Sequence, residues 1–314
     1  MIRIATRRSP LAKWQANHIA SLLRKNEPGL EVRLHEVVTK GDKILDVPLA
    51  DVGGKGLFVK EIEDALLAGD AEIAVHSMKD LPAALAPGLV IAAVPEREDP
   101  RDALCSPRWK TLDKLPKGAK VGTSSLRRSA QLKAVRPDLD IQMVRGNVET
   151  RLRKASEALD AVVLAYAGLR RLGLAEHATY VFSPEEMLPA VAQGALALEA
   201  RAADAATMKR LAALEHAETR VRTEAERGFL ARIEGGCQVP IAGHARVEGP
   251  NVTLRALVAS LDGLRVIRGE RTGPLADARR IGEALADELI AQGAGDILRE
   301  CEGKGPALAA PKRG

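Results

Sequence analysis

Residues 2–38 read IRIATRRSPLAKWQANHIASLLRKNEPGLEVRLHEVV, and this stretch decides the fold. Ile2–Thr6 alternates charge with β-branched residues and predicts a strand, and Glu31–Val38 predicts another. Between them, Ser9–Lys25 has the spacing of an amphipathic helix, with its first serine as N-cap and Pro10 at the first helical position. A strand, a helix and a strand in this order form a right-handed βαβ unit, which requires a parallel sheet.

The same plan occurs twice. Glu72–Val75 and Leu89–Val94 are short apolar runs between turn residues, and they extend the first unit as buried strands. A second set predicts another doubly wound domain. Its strands are Lys120–Thr123, Ile141–Val144 and Ala161–Ala165, and its helices are Ser125–Val135 and Val148–Leu159.

Two polar, proline-bearing stretches are typical of crossings between domains. The first is Pro95–Arg101, and the return lies near Ser183–Pro184 and Leu188–Ala190. After the return, Ala195–Ala202 rejoins the first domain as a strand or a helix.

The last third is of another kind. It begins with one long charged helix, Ala205–Ile233, which ends at two glycines. Three alternating segments then predict an antiparallel sheet with hairpin turns: Ile241–Val247, Val252–Ser260 and Leu264–Glu270. A terminal helix near Leu275–Gln292 covers one face of this sheet. The module is therefore a small α+β domain.

Composition restricts the function. The 314 residues carry a net charge of +5, which suits an anionic partner, but only 2% are aromatic, too few for base-stacking surfaces. We expect a small acidic ligand, no nucleic acid and no membrane. The N-terminal segment lacks the apolar core of a signal peptide, and three scattered cysteines fit a reducing, cytoplasmic location. The histidine and cysteine spacings predict no metal site.

Arginines fall at three strand-to-helix turns. These turns are Thr6–Ser9, Gly122–Arg128 and Arg145–Asn147, with Arg151 one helical turn beyond the last. Each lies at the carboxyl end of a parallel strand, where helix dipoles favour anions and guanidinium groups bind carboxylates in a bidentate manner. Solvated surface arginines are the alternative for any single position.

Two loops carry possible chemistry. In Ala74–Pro82 a buried strand ends beside Asp80, whose carboxylate could stabilise a cationic intermediate and move protons. A turn with Asp80 paired to Lys79 explains the same residues. Val52–Phe58 lacks the spacing of a phosphate-binding loop and indicates a lysine-bearing flap or an ordinary loop.

Cys237 lies in the glycine loop Glu234–Pro240. Lone cysteines are most often inert and buried, but the flanking glycines and polar residue favour an accessible thiol. Spacing alone supports nothing further.

Six segments, in this order, resemble the hydroxymethylbilane synthase (porphobilinogen deaminase) family. They are Gly53–Phe58, His76–Pro82, Arg97–Asp102, Gly122–Arg128, Arg145–Asn147 and Glu234–Pro240. The resemblance implies an α/β fold with two doubly wound domains resembling type II periplasmic binding proteins, plus a small α+β C-terminal domain with a three-stranded antiparallel sheet. The implied boundaries are 1–96 with about 194–214 for domain 1, 97–193 for domain 2, 215–302 for domain 3 and 303–314 for a tail.

The resemblance also implies a reaction. Four porphobilinogens are joined head to tail, with loss of ammonia, into the linear tetrapyrrole hydroxymethylbilane of haem biosynthesis. Cys237 would hold a dipyrromethane cofactor covalently, and Asp80 would be catalytic. The cofactor-binding residues implied are Cys237, Lys79, Asp80, Thr123, Ser125, Arg127, Arg128 and Gly146. The substrate-binding residues implied are Arg7, Ser9, Lys55, Phe58, Ser77, Arg145, Arg151, Arg171 and Gln193. The family suggests a monomer.

One residue departs from the family pattern, since Asp51 stands where members often carry lysine. A two-lobed, non-catalytic solute-binding protein and a nucleic-acid binder are the rival interpretations. The third domain with its cysteine loop distinguishes the chain from the first rival.

Overall fold

A computed structural model describes residues 1–43, 59–233 and 239–303 of the chain. The strands are β1 (Ile2–Arg7), β2 (Val32–Val37), β3 (Ile73–Ser77), β4 (Leu89–Ala93), β5 (Asp102–Cys105), β6 (Lys120–Gly122), β7 (Asp140–Gln142), β8 (Ala161–Ala165), β9 (Tyr180–Val181), β10 (Leu196–Arg201), β11 (Ile241–Glu248), β12 (Asn251–Ala259) and β13 (Val266–Pro274). The α-helices are α1 (Pro10–Asn26), α2 (Lys40–Lys43), α3 (Lys60–Leu67), α4 (Leu126–Val135), α5 (Val148–Glu157), α6 (Tyr166–Arg171), α7 (Ala205–Ala212), α8 (Ala217–Ile233), α9 (Ala278–Leu289) and α10 (Gly295–Gly303). None of the helices in these ranges combines the length and apolar character that crossing a bilayer needs.

The first lobe is built on a sheet with strand order β2-β1-β3-β10-β4. β1 runs parallel to β2 and β3, which confirms the opening βαβ prediction. α1 begins where expected, since the Ser9 side chain accepts a hydrogen bond from the Ala12 amide and Pro10 follows the cap. β10 is inserted antiparallel to both of its neighbours, so the sheet is mixed.

The second lobe repeats this arrangement, with strand order β7-β6-β8-β5-β9. β6 runs parallel to β7 and β8, and β5 is inserted antiparallel to β8. Both antiparallel insertions differ from the purely parallel sheets that the βαβ pattern predicts. Each one brings the start of its strand to the edge of the sheet where the parallel strands end.

The C-terminal domain contains the predicted antiparallel sheet, in the order β11-β12-β13. α8 and α9 cross closely at two glycines. A β-carbon on Gly228 would lie 2.3 Å from the Arg279 carbonyl oxygen, and one on Gly282 would lie 2.0 Å from that of Ala225. Only glycine permits this approach of the two backbones. The α/β fold class with a separate three-stranded module is confirmed.

Two helix predictions were wrong in extent. The single helix expected over Ala205–Ile233 is divided into α7 and α8. The break is stabilised by the first lobe, because the His216 amide donates to the Val94 carbonyl at 2.9 Å and Glu215 Oε2 accepts from the Val94 amide at 2.7 Å. At the other end, a kink at Gly293, which has a positive φ of 101°, separates α9 from a further helix, α10.

One buried carboxylate fastens the C-terminal domain to both crossings between the lobes. Glu226 of α8 accepts hydrogen bonds from Arg97 Nη1 and Nη2 at 2.6 and 3.0 Å. It also accepts from the amides of Ala192 and Ala245, at 2.6 and 2.8 Å. Arg97 itself donates through Nε to the Gln193 carbonyl at 2.8 Å. The two crossings and the C-terminal domain therefore meet at a single side chain.

Candidate functional site

Three helices begin where parallel strands end, as the sequence predicts. Each helix is capped by a side chain that accepts an amide hydrogen bond: Ser9 at α1, Ser125 at α4 and Asn147 at α5. Thr123, which is buried, extends the cap of α4 by accepting from the Ser125 amide at 3.1 Å. Helix N-termini carry partial positive charge, so this edge of both lobes favours anions.

The end of β3 forms one wall of a small cavity in the first lobe. Its volume is about 80 Å³. Arg7, Ser9, Ser77 and Asp80 line it, so four of the predicted site residues share one space. Ser77 Oγ accepts a hydrogen bond from the buried Gln15 side chain at 2.8 Å, which fixes the hydroxyl in place. Asp80 is otherwise exposed, and it lies within electrostatic range of Lys79 and Arg151, one from each lobe; we call the space between these residues the cleft.

Lys79 links this wall to the second lobe. Its ammonium group donates to Gln193 Oε1 at 3.4 Å, and the same oxygen accepts from Arg128 Nη2 at 3.5 Å. The Lys79 side chain keeps contact with solvent, yet it lies between the two lobes, and the loss of hydration there lowers its pKa to about 8. Asp80 opposes this shift and Arg128 adds to it. The ammonium group is therefore short of a full counter-charge.

Arg127 and Arg128 do not project into solvent. Asp102, at the start of β5, accepts from Arg127 Nη1 at 2.7 Å and from Arg128 Nε and Nη2 at 2.9 and 2.7 Å. Burial alone would raise the pKa of Asp102, but the two guanidinium groups hold it well below its usual range. Gln193 Nε2 donates to the same carboxylate at 2.9 Å. The two arginines predicted to receive ligand carboxylates already share one from the protein.

The third arginine-bearing turn, Arg145–Asn147, adds Arg145 and Arg151 to the cations near Lys79. Gly146 adopts a positive φ of 113°, and a β-carbon there would lie 2.8 Å from Thr150, so the turn requires glycine. Its carbonyl accepts from Arg151 Nε at 2.9 Å. Burial, followed by the charges of Arg128 and Arg145, lowers the pKa of Arg151 to about 10, whereas Asp80 opposes the shift. Arg151 therefore senses charges from both lobes.

Arg171 lies elsewhere. Its guanidinium carbon is 5.9 Å from the centre of the Trp14 ring, and Nη2 donates to the Gly194 carbonyl at 2.6 Å. It lines a separate, open hollow of about 850 Å³ bordered by the Pro95–Arg101 crossing, α8 and β11. The structure does not bring Arg171 into the small cavity with Asp80.

Three of the predicted site residues lie outside the described ranges: Lys55, Phe58 and Cys237. Asp51, which differs from the family pattern, also lies outside them. The other two cysteines, Cys105 and Cys301, are buried. Burial raises the pKa of the Cys105 thiol to about 12, so it is unreactive at neutral pH.

Sequence reasoning missed the side chains that support the site from within. Asp102 ends the segment Arg97–Asp102, which resembles the family, but nothing in the sequence distinguishes it from its acidic neighbours Glu98 and Asp99. Gln15 and Glu199 lie within predicted elements, and only the fold brings each of them to β3, at Ser77 and His76.

Comparison with known families identifies the chain. Residues 2–209 match the family model for porphobilinogen deaminase, dipyromethane cofactor binding domain, and residues 221–291 match porphobilinogen deaminase, C-terminal domain. The chain belongs to the porphobilinogen deaminase family. It is thus a transferase of tetrapyrrole biosynthesis, and its two lobes form the dipyrromethane-binding part.

Solved structures show more distant likeness. A putative methionine-binding lipoprotein of Bacillus subtilis is 16% identical, with a TM-score of 0.41, 68% of this chain covered and 90% of that one. A periplasmic substrate-binding protein of an ABC transporter from Coxiella burnetii is 15% identical, with a TM-score of 0.44 and coverages of 68% and 92%. The methionine-binding protein MetQ is 16% identical, with a TM-score of 0.44 and coverages of 68% and 89%.

The residues of the cleft fit a dipyrromethane. Each of its two pyrroles carries an acetate and a propionate, and the cleft offers Lys79, Arg145 and Arg151 beside the N-termini of α4 and α5. Arg127 Nε is buried and has no hydrogen-bond partner among the described residues, which leaves one donor available.

Proposed function

We propose that the chain is a hydroxymethylbilane synthase that condenses four porphobilinogens head to tail and releases four ammonia molecules. The observation that carries the proposal is the position of Asp80. Its carboxylate lies on the wall of a small cavity and within electrostatic range of Lys79 and Arg151, one from each lobe. The cations bind the carboxylates of the ligand, whereas the negative charge of Asp80 can stabilise only a positive charge. Asp80 is therefore suited to stabilise a cation that forms on the bound ligand.

The chemistry requires such a group. When an aminomethylpyrrole loses its amine, positive charge spreads over the ring, and a fixed carboxylate stabilises that transition state more than the ground state. The surrounding cations, Lys79, Arg145 and Arg151, hold the carboxylates of substrate and cofactor. We infer that Ser9, Thr123, Ser125 and Gly146 support these contacts through the helix N-termini.

We infer that Cys237 holds the dipyrromethane through a thioether. When bound, this group supplies the pyrrole carbon to which the first substrate is joined. α8 ends at Ile233, four residues before Cys237, and its Glu226 is fixed to both crossings. Cys237 thus follows, in the chain, a helix that is fixed to both crossings. We place the enzyme in the cytoplasm and expect a monomer.

Intact-mass analysis tests the anchor. Chain made with porphobilinogen available should exceed the mass of the polypeptide by one dipyrromethane, whereas Cys237→Ser should show the polypeptide mass and no turnover. The matched control is Cys301→Ser, which should retain the added mass. An unmodified wild-type chain with full activity would exclude the covalent cofactor.

Asp80→Asn tests the reaction. The variant should keep the added mass but lose activity about 10²–10³-fold, the usual effect of removing a group that stabilises transition-state charge. Asp64→Asn, an exposed carboxylate of the same lobe, is the control and should retain normal rates. A porphobilinogen consumption rate in Asp80→Asn within twofold of the wild type would reject the assignment.

A further inference from the structure

A histidine and a glutamate are buried in the sheet next to the segment that carries Asp80. His76 on β3 is 6% exposed and Glu199 on β10 is fully buried. His76 Nε2 lies 2.9 Å from Glu199 Oε2. The second carboxylate oxygen, Oε1, has no hydrogen-bond partner among the described residues. The imidazole is therefore the single hydrogen-bonded neighbour of this carboxylate within the described part of the chain.

The pairing fixes the chemistry of the ring. Glu199 accepts the hydrogen on Nε2, so the lone pair of the neutral ring is on Nδ1. Among the described residues nothing forms a hydrogen bond with Nδ1. His76 lines the same cavity as Ser77 and Asp80. A histidine whose ring is held by Glu199 and a residue with a carboxylate thus border one small space.

The size of that space indicates what it holds. At about 80 Å³ it has room for two or three water molecules, each of which occupies about 30 Å³ in the liquid. Sites for drug-sized ligands are larger, starting at about 300 Å³, so this space suits water better than a chain of pyrroles. Water held between Asp80 and His76 would provide a path for a proton.

We propose that His76, oriented by Glu199, is a positioning and proton-relay residue that serves Asp80 through water in this cavity. The inference rests on the proposed function. In each cycle the C–N bond of the substrate's protonated aminomethyl group breaks, and its electron pair leaves with ammonia. The free α-carbon of the acceptor pyrrole then attacks the resulting methylene carbon and forms the new C–C bond. The proton displaced from that α-carbon passes to Asp80 and is shared through water with His76 Nδ1 until the exposed Asp80 releases it to solvent. No oxidant or reductant is needed.

Charged groups of both signs surround the pair. Glu63 of α3 and Glu199 of β10 act on the ring from within the lobe, and Asp80 lines the shared cavity. Arg7 lines the same cavity, and Arg227 of α8 lies within electrostatic range of Glu199. Three carboxylates and two guanidinium groups therefore lie around the ring and its partner.

His76→Gln is the first test, made on enzyme whose added cofactor mass has been verified. The amide can still donate to Glu199 but offers no basic nitrogen. We expect kcat for porphobilinogen to fall about 10–100-fold, a typical contribution of a proton-transferring group, with KM within about twofold. Glu199→Gln should lower kcat similarly, because the ring loses the partner that orients it. His244→Gln, at an equally buried histidine in the C-terminal domain, is the matched control and should keep kcat.

Chemical rescue separates a relay from a space-filling side chain. Imidazole added to His76→Gly should restore part of kcat, whereas pyrazole, which has the same shape and little basicity, should not. Equal rescue by both compounds, or a His76→Gln variant with wild-type kcat, would overturn the relay. In either case, if the wild-type enzyme turns over porphobilinogen, the proposed function is unaffected. Only a wild-type enzyme without this turnover would count against both the proposed function and the relay.

Discussion

The turn after β1 and the turn after β6 look alike in sequence but differ in what they do. Both place two consecutive arginines close to a serine that caps a helix, before the serine in the first turn and after it in the second. After β1, Arg7 lies on the wall of the Asp80 cavity, and Arg8 is largely exposed beside Glu36. After β6, both arginines are buried against Asp102.

The antiparallel strands explain the difference. β5 starts at Asp102, opposite Ala165 at the end of β8, whereas β10 starts at Leu196, opposite Ser77 at the end of β3. The two lobes therefore present a carboxylate and a leucine at equivalent places. The carboxylate at the start of β5 makes the arginine pair after β6 part of the structural core, whereas the leucine at the start of β10 cannot pair with an arginine.

The largest expected effect comes from removing that carboxylate. Asp102→Asn leaves two buried guanidinium groups without an anion and should reduce the free energy of unfolding by about 3–5 kcal/mol, measured by urea denaturation at pH 7. Because the folded-state pKa of Asp102 is lowered, its contribution is complete above its unfolded value of about 3.9 and is lost as pH falls through the folded pKa. Asp99→Asn, which breaks a more exposed pair with Arg101, should cost below about 1 kcal/mol. Equal losses in the two variants would contradict the comparison.

A smaller effect should separate the two arginine turns. Arg7→Gln should lower kcat/KM about 10–100-fold while changing stability by about 0.5 kcal/mol or less, since Arg7 lines the same cavity as Asp80. Arg128→Gln should lower both activity and stability, because Asp102 loses a partner. Thermal unfolding and steady-state kinetics on both variants decide the matter. A strongly destabilised Arg7→Gln would show that both turns are scaffold.

The smallest effect concerns Lys79, between the lobes. Its pKa of about 8 means that it loses its charge between pH 7 and 9. The affinity of the cofactor-free chain for a polycarboxylate such as citrate should therefore fall by up to about tenfold over this range, as followed by calorimetry. Lys79→Arg keeps its charge throughout and should show a flatter profile. An unchanged slope in that variant would assign the pH dependence to another group.

Elements with local signals were predictable. The start of α1 is determined by a serine cap followed by proline, and the caps of α4 and α5 by Ser125 and Asn147. The hairpins of the C-terminal domain follow from alternating strands with glycine turns. In these cases the energy that decides the structure comes from residues within a few positions of each other.

Elements decided by distant partners were not predictable. β5 has four residues, and its pairing with β8 rather than any property of its own makes it a strand. The break between α7 and α8 depends on Val94, which lies more than one hundred residues before Glu215. The same holds for the site. Asp80 was found from its position after a strand, but the pairing of His76 with Glu199 spans 123 residues.

Glu226 has a consequence for how the protein can be divided. One carboxylate receives two donors from Arg97, one from the return crossing and one from β11, all of them buried. Cutting away the C-terminal domain would leave the Arg97 guanidinium and the Ala192 amide without their acceptor at the point where the lobes join. The two lobes therefore do not form a self-sufficient unit without the C-terminal domain. The hydrogen bonds at their junction are completed by Glu226, which lies 129 residues after Arg97.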